Sequence, residues 1–210
     1  MGVIYMLVMG ASALYLKPPA ASNESATKAI YHGFTAGEAI KTWQFGALWW
    51  IFFVNITCGI GLLAVASPMA QQIVGMDAAG AAAMVGIIGL LNGAGRIIWS
   101  TISDYLGRGL TYMLFFLIEL LAFWSLAGTQ DAFIFQSLVF LIISCYGGGF
   151  SCMPAYLSDI FGTRELSAIH GRILTAWGLA GVVGPTIVSF FWEQTHSYTY
   201  TMFFFAAALC

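Results

Sequence analysis

The 210 residues are 60% hydrophobic and only 8% charged, with a mean hydropathy of +0.87. A soluble domain carries about 25% charged residues, so this chain uses lipid as part of its solvent. Seven Lys+Arg against nine Asp+Glu supply no basic face for nucleic acid, and four cysteines scattered through apolar runs, with no CxxC pair and no Cys/His cluster, exclude a zinc site or disulfide framework.

Residues 1–16 are apolar but short for a membrane span, which needs about 20 residues. They read as the end of a helix, stopped by Lys17-Pro18-Pro19 because proline cannot continue the hydrogen-bond ladder. Residues 17–45 read as a solvated linker closed by a short interfacial helix. Its N-terminus is the capping box Thr35-x-x-Glu38, and Ile40, Trp43 and Phe45 beside Lys41 suit the membrane surface. The remainder, 46–210, reads as a transmembrane bundle. Spans are expected over Gly46–Ala66, Ala78–Ser103, Gly109–Leu126, Ala132–Leu157 and Arg172–Trp192, with a last one beginning after Tyr198 and still apolar where the chain stops. The apolar ends suggest that the sequence is a piece of a longer protein.

Threading these spans alternately puts Lys17, Lys28, Lys41, Arg108, Arg164 and Arg172 on one side. Asp77, Asp131, Glu193 and His196 fall on the other. Basic residues mark the cytoplasmic side, so the charges fix the orientation and test the span count together. The expected location is the plasma membrane, or the bacterial inner membrane in a prokaryote.

Candidate functional residues stand out as polar groups inside spans. Arg96 lies eight residues before Asp104, about 12 Å up its helix. A cation at such depth costs roughly 2.5–3.5 kcal/mol on insertion scales. Its planar fork matches a carboxylate with two bonds, which suits an anionic substrate in a water-filled cavity; the alternative is an internal ion pair with Glu119 on the next span. Asn92 lies one turn away on the same face. Asn55, a buried amide, must face protein or a cavity. Gly147-Gly148-Gly149 with Pro154 reads as a weak helix that could bend around a site, which draws attention to Tyr146 beside it and to Trp177 in the glycine-rich fifth span. Gly89-x-x-x-Gly93 and Gly178/Gly181 have the spacing of close helix contacts. No nucleophile with a base, no metal-ligand set and no phosphate loop is visible, so an enzyme is not expected, and neither metal nor cofactor.

The turn Ser103-Asp104-Tyr105-Leu106-Gly107-Arg108 resembles the loop signature of the major facilitator superfamily, Gly-x-x-x-Asp-x-x-Gly-Arg. Asp104, Gly107 and Arg108 match it, while Ser100 stands at the first glycine. Four further stretches recur in the order of one branch of that superfamily. They are Thr35-x-x-Glu38 with Trp43-Gln44-Phe45; Ala66-Ser67-Pro68-Met69-Ala70-Gln71; Tyr146-Gly147-Gly148-Gly149-Phe150 with Met153-Pro154-Ala155; and Asp159-x-Phe161-Gly162-Thr163 with Thr175-Ala176-Trp177-Gly178 through Gly184-Pro185. Together they resemble the oxalate/formate antiporter family, which is related to monocarboxylate transporters.

The resemblance implies an all-α membrane fold, the six-helix C-terminal half of a transporter with the end of the preceding helix. It implies antiport or uniport of small organic anions, monocarboxylates or dicarboxylates, by alternating access against a missing N-terminal half. Arg96 then corresponds to the family's basic residue on helix eight. Asn92 stands where monocarboxylate transporters have an aspartate, and Trp177 stands where the exchanger has a lysine on helix eleven. Asp104, Gly107 and Arg108 are implied as a gating loop. A non-transporting receptor or assembly subunit on the same fold is the alternative.

Overall fold

The computed structural model describes residues 33–210, all helix and connection apart from one bridge between Gly33 and Gly162. Residues 1–16, read as the end of a helix, and the first part of the linker lie outside the described residues. The helices are α1 (Ala36–Ala39), α2 (Trp43–Ile73), α3 (Ala78–Leu106), α4 (Arg108–Leu126), α5 (Ala132–Phe161), α6 (Leu166–Thr195) and α7 (Thr199–Ala208). The five from α2 to α6 are long and apolar enough to cross a membrane, and α7 is a shorter apolar helix.

The helix starts follow from local chemistry. Thr42, Asp77 and Asp131 each accept a hydrogen bond from a first-turn amide, Phe45 N, Gly80 N and Ile134 N respectively, satisfying donors that have no intrahelical partner. Two ends share one device. Gly107 and Gly162 take φ of 86° and 78°, and each amide donates back to a serine carbonyl, Ser103 O and Ser158 O. Both stretches read Ser-Asp-x-x-Gly, so the C-terminal ends of α3 and α5 repeat one local sequence.

Several boundaries differ from the sequence expectation. The α2 helix continues past Pro68 to Ile73, α5 runs unbroken through Gly147–Gly149 and Pro154 to Phe161, and α6 begins at Leu166 rather than Arg172. Proline and glycine are tolerated in membrane helices because neighbours satisfy the freed backbone groups. The capping box at Thr35 is present, with Glu38 accepting from Thr35 N at 2.8 Å. The helix it starts is only four residues long and docks on protein. Ala36 N donates to Glu165 Oε2 at 2.8 Å, Arg172 Nη1 donates to Ala36 O, and Ala36 and Ala39 are buried. Trp43 and Phe45, expected on that surface helix, form the first turn of α2 instead.

Two apolar clusters fill the bundle. One gathers Leu62, Met84, Phe123, Val139 and Met202 towards the Asp77 and Asp131 end. The other gathers Phe52, Tyr112, Phe115, Leu157 and Ile173 towards the Asp104 and Asp159 end. Large side chains such as Ile97, Leu117, Trp124 and Phe133 remain exposed on the outside, as expected where lipid is the solvent.

The candidate anion site

Glycine packing decides how the site is built. A methyl group at Gly147 would overlap the Asn92 backbone oxygen and lie 2.7 Å from Asn92 Oδ1; at Gly148 it would lie 2.7 Å from Trp99 Cβ and 2.8 Å from Phe115 Cζ; at Gly149 it would overlap Asn55 Oδ1. Three successive glycines therefore admit three different neighbours, α3, α4 and α2, and the triplet serves close approach rather than a break. Across the same contact Gly95 lies against the Ser144 backbone. The pairs with the expected spacing do not make such contacts: a methyl added at Gly89, Gly93, Gly178 or Gly181 would meet nothing within 4 Å.

This close approach of α3 to α5 places Arg96. Its backbone oxygen accepts hydrogen bonds from Ser100 Oγ at 2.6 Å and, across the interface, from Ser151 Oγ at 2.9 Å. Its guanidinium carbon lies 5.3 Å from the centre of the Phe150 ring, within cation–π range. Phe150 is the hub that the sequence reading missed. Its ring meets Phe52, Tyr146 and Trp177 edge to face at centroid distances of 5.2, 5.4 and 5.6 Å. The available signal was helical spacing, since Tyr146 and Phe150 are four residues apart and share one face of α5.

Of the residues singled out from sequence, Arg96, Tyr146 and Trp177 come together around Phe150. Tyr146 is buried against Gly59, and Trp177 is 47% exposed. Asn92 and Asn55 point elsewhere. Asn92 Oδ1 is buried against Gly147 with no hydrogen-bond partner, and Asn55 turns to Glu119, with Nδ2 donating to Oε1 at 2.9 Å. The alternative ion pair between Arg96 and Glu119 is therefore not formed. Among the described residues both ion pairs belong to Arg108: Asp104 at 2.6 Å and Asp159 at 3.3 Å. Arg108 Nη1 also donates to Ser103 Oγ at 2.9 Å. One guanidinium thus joins the two Ser-Asp-x-x-Gly ends, with Gly107 making the turn that brings it there.

Arg96 and Trp177 lie on the two spans that bury least of themselves. Only 22% of the most apolar 18-residue stretch of α3 and 28% of that of α6 is buried, against 56% in α2 and 50% in α5. A helical membrane bundle with a cation-bearing, partly open face is the architecture of a multi-pass transporter domain. The chain matches the Major Facilitator Superfamily over residues 1–210, and it belongs to that superfamily. It is 30% identical over 184 residues to the oxalate:formate antiporter of Oxalobacter formigenes, covering 84% of this chain and 44% of that protein. It is 24% identical over 180 residues to YhjX of Escherichia coli (strain K12), an uncharacterized MFS-type transporter, covering 85% of this chain and 44% of that one. The chain thus spans under half the length of these curated relatives. Family and spans together make it a multi-pass membrane protein, and the plasma membrane expected from the sequence agrees with both.

Proposed function

We propose that this chain is the C-terminal half of a secondary transporter for small organic anions, with Arg96 as the fixed cation that receives the carboxylate. The observation that carries the proposal is the setting of Arg96. It is a cation within a membrane span, without an acidic partner among the described residues, held over Phe150 with Trp177 alongside. A carboxylate leaving water loses its hydration, and a guanidinium replaces part of it with two charge-assisted bonds. The aromatic rings would exclude water and shape the cavity without adding charge. A single cation suits a monocarboxylate, or a dicarboxylate whose second group finds a partner elsewhere. The relative named as an oxalate:formate antiporter makes exchange of such anions the first activity to assay.

The open faces of α3 and α6 suit a second six-helix half, against which the two halves rock to give alternating access. Asp104, Gly107 and Arg108 would then act as the cytoplasmic gate, because Arg108 ties the ends of α3, α4 and α5 and would have to yield as those ends separate.

The test is anion binding and proteoliposome uptake by the complete transporter, with oxalate and formate as probes. A charged hydrogen bond contributes about 1.5–3 kcal/mol, so Arg96→Gln should bind anion roughly tenfold or more weakly while still reaching the membrane. Arg96→Lys should fall between the two, keeping charge without the fork. A folded Arg96→Gln protein with unchanged anion affinity would remove Arg96 from the site. Anion binding without uptake would favour a receptor.

A further inference from the structure

Between the two apolar clusters lies a polar pair that the anion site does not use. Glu119 on α4 and Asn55 on α2 are both fully buried, at 0% exposure. Asn55 Nδ2 donates to Glu119 Oε1. Each side chain is left with one buried oxygen that has no hydrogen-bond partner, Glu119 Oε2 and Asn55 Oδ1.

An ionised carboxylate at this position would place a full charge in a low-dielectric interior, where a single amide contact does not compensate its lost hydration. Among the described residues no cation is paired with it. The titratable groups around the carboxyl are Cys58 from α2, Cys145 from α5 and Tyr112 on α4 itself. The Tyr112 hydroxyl is committed to Gly149 O at 2.6 Å. On α3, Arg96 is turned to Phe150 and Asp104 is paired with Arg108. From α7, Tyr200 is exposed, and no acidic or basic residue occurs between Thr199 and Ala208.

Two acceptors orphaned on one hydrogen-bonded pair are both satisfied by a single proton. On Oε2 it turns that acceptor into a donor, and Asn55 Oδ1 has lone pairs to receive it. We propose that Glu119 is a proton-binding site inside the membrane, its proton held between Glu119 Oε2 and Asn55 Oδ1 so that acid and amide close a reciprocal pair of hydrogen bonds. The ligand is the proton, and the site does not involve Arg96, whose guanidinium lies over Phe150. It has two consequences. Glu119 is neutral, so it does not offset the charge that Arg96 presents to an anion. The pair also abuts the residue next to the aromatic hub, since Asn55 Oδ1 lies against Gly149 and Phe150 follows it. Loss of the proton would charge the junction of α2, α4 and α5 immediately beside that ring.

Infrared spectroscopy of the membrane-reconstituted protein reads the proton directly. Solvated Asp and Glu are ionised near neutral pH, so a protonated-carboxyl C=O band there must come from a buried acid. The expected result is such a band near neutral pH in the wild type, lost in Glu119→Gln and moved to higher frequency in Asn55→Ala, where the amide partner is gone. A wild-type spectrum near neutral pH with carboxylate bands alone overturns the proposal, and that measurement depends on no variant folding. A protonated band unchanged in Glu119→Gln overturns it as well. Neither reading involves an anion, so the outcome is independent of the role given to Arg96.

Discussion

Replacing Gly95 and Gly93 in turn by alanine separates packing from helix propensity on one helix. Both lie in α3, so each alanine gains the same propensity term, about 0.8–1.0 kcal/mol in a helix interior. The surroundings differ. At Gly95 the methyl would overlap the Ser144 carbonyl oxygen and lie 2.9 Å from its Cα and 3.0 Å from its carbonyl carbon, whereas at Gly93 it would meet nothing within 4 Å. The obstacles at Gly95 are backbone atoms of α5, which cannot rotate away, so the helices must part. Overpacking of this kind costs about 1–3 kcal/mol. With the propensity term cancelling, the two variants should differ by that amount, or roughly 2–12 °C in melting temperature at about 2–4 °C per kcal/mol. The chain carries its own probe, because Cys58, Cys145 and Cys152 are buried and free. A thiol-reactive dye in detergent will report their exposure on heating. Gly93→Ala should melt at or above wild type, and Gly95→Ala below it. Equal melting temperatures, or the reverse order, would refute the account of α3–α5 packing. In the complete transporter Gly93→Ala should lose its advantage if the proposed second half closes on α3.

Five further outcomes are expected. Arg108→Ala removes two ion pairs whose acids are largely exposed, each worth about 0.2–1 kcal/mol, and the hydrogen bond to buried Ser103, worth about 0.5–1.5 kcal/mol, so stability should fall by about 1–3 kcal/mol, while Asp104→Asn should slow transport and leave anion affinity within a few fold; a collapse of affinity at unchanged turnover would show that this loop is no gate. Tyr112→Phe deletes the donor to Gly149 O, which keeps its helical amide partner in α5, a loss of about 0.5–1.5 kcal/mol readable with the same thermal assay. Glu38 should titrate below the ordinary glutamate range, chiefly because the Thr35 amide, then its hydroxyl, donates to it. A depressed folded value means that this contribution is present above the ordinary glutamate pKa and fades as pH falls through the folded one; Thr35→Ala removes only the hydroxyl and keeps the amide, so the Glu38 pKa measured by NMR should rise part of the way towards that of an ordinary glutamate. The double change Arg96→Gln with Glu119→Gln should restore nothing that Arg96→Gln loses, since Glu119 is bonded to Asn55; recovery of anion binding in the double variant would show that the two residues act as a pair.

Class and span order were legible in the residues alone. Hydropathy and loop charge act locally along the chain, and a run of about 20 apolar residues has few alternatives to a membrane helix. The same holds for the capping box at Thr35 and the turn at Gly107, where neighbouring residues satisfy one another. The breaks expected at Gly147–Gly149 and near Pro68 failed because glycine and proline lower local helix preference while the bundle decides whether the helix continues. At Gly147–Gly149 close contact with α2, α3 and α4 outweighs that preference. Gly89/Gly93 and Gly95 could not be ranked from spacing, because only the packing of α3 on α5 reveals which glycine meets backbone. Asn55 and Glu119, 64 residues apart, and Arg108 and Asp159, 51 apart, were each visible as polar residues but not as partners. A buried polar group announces that it needs a partner; which one it finds depends on distances that exist only once the helices have packed.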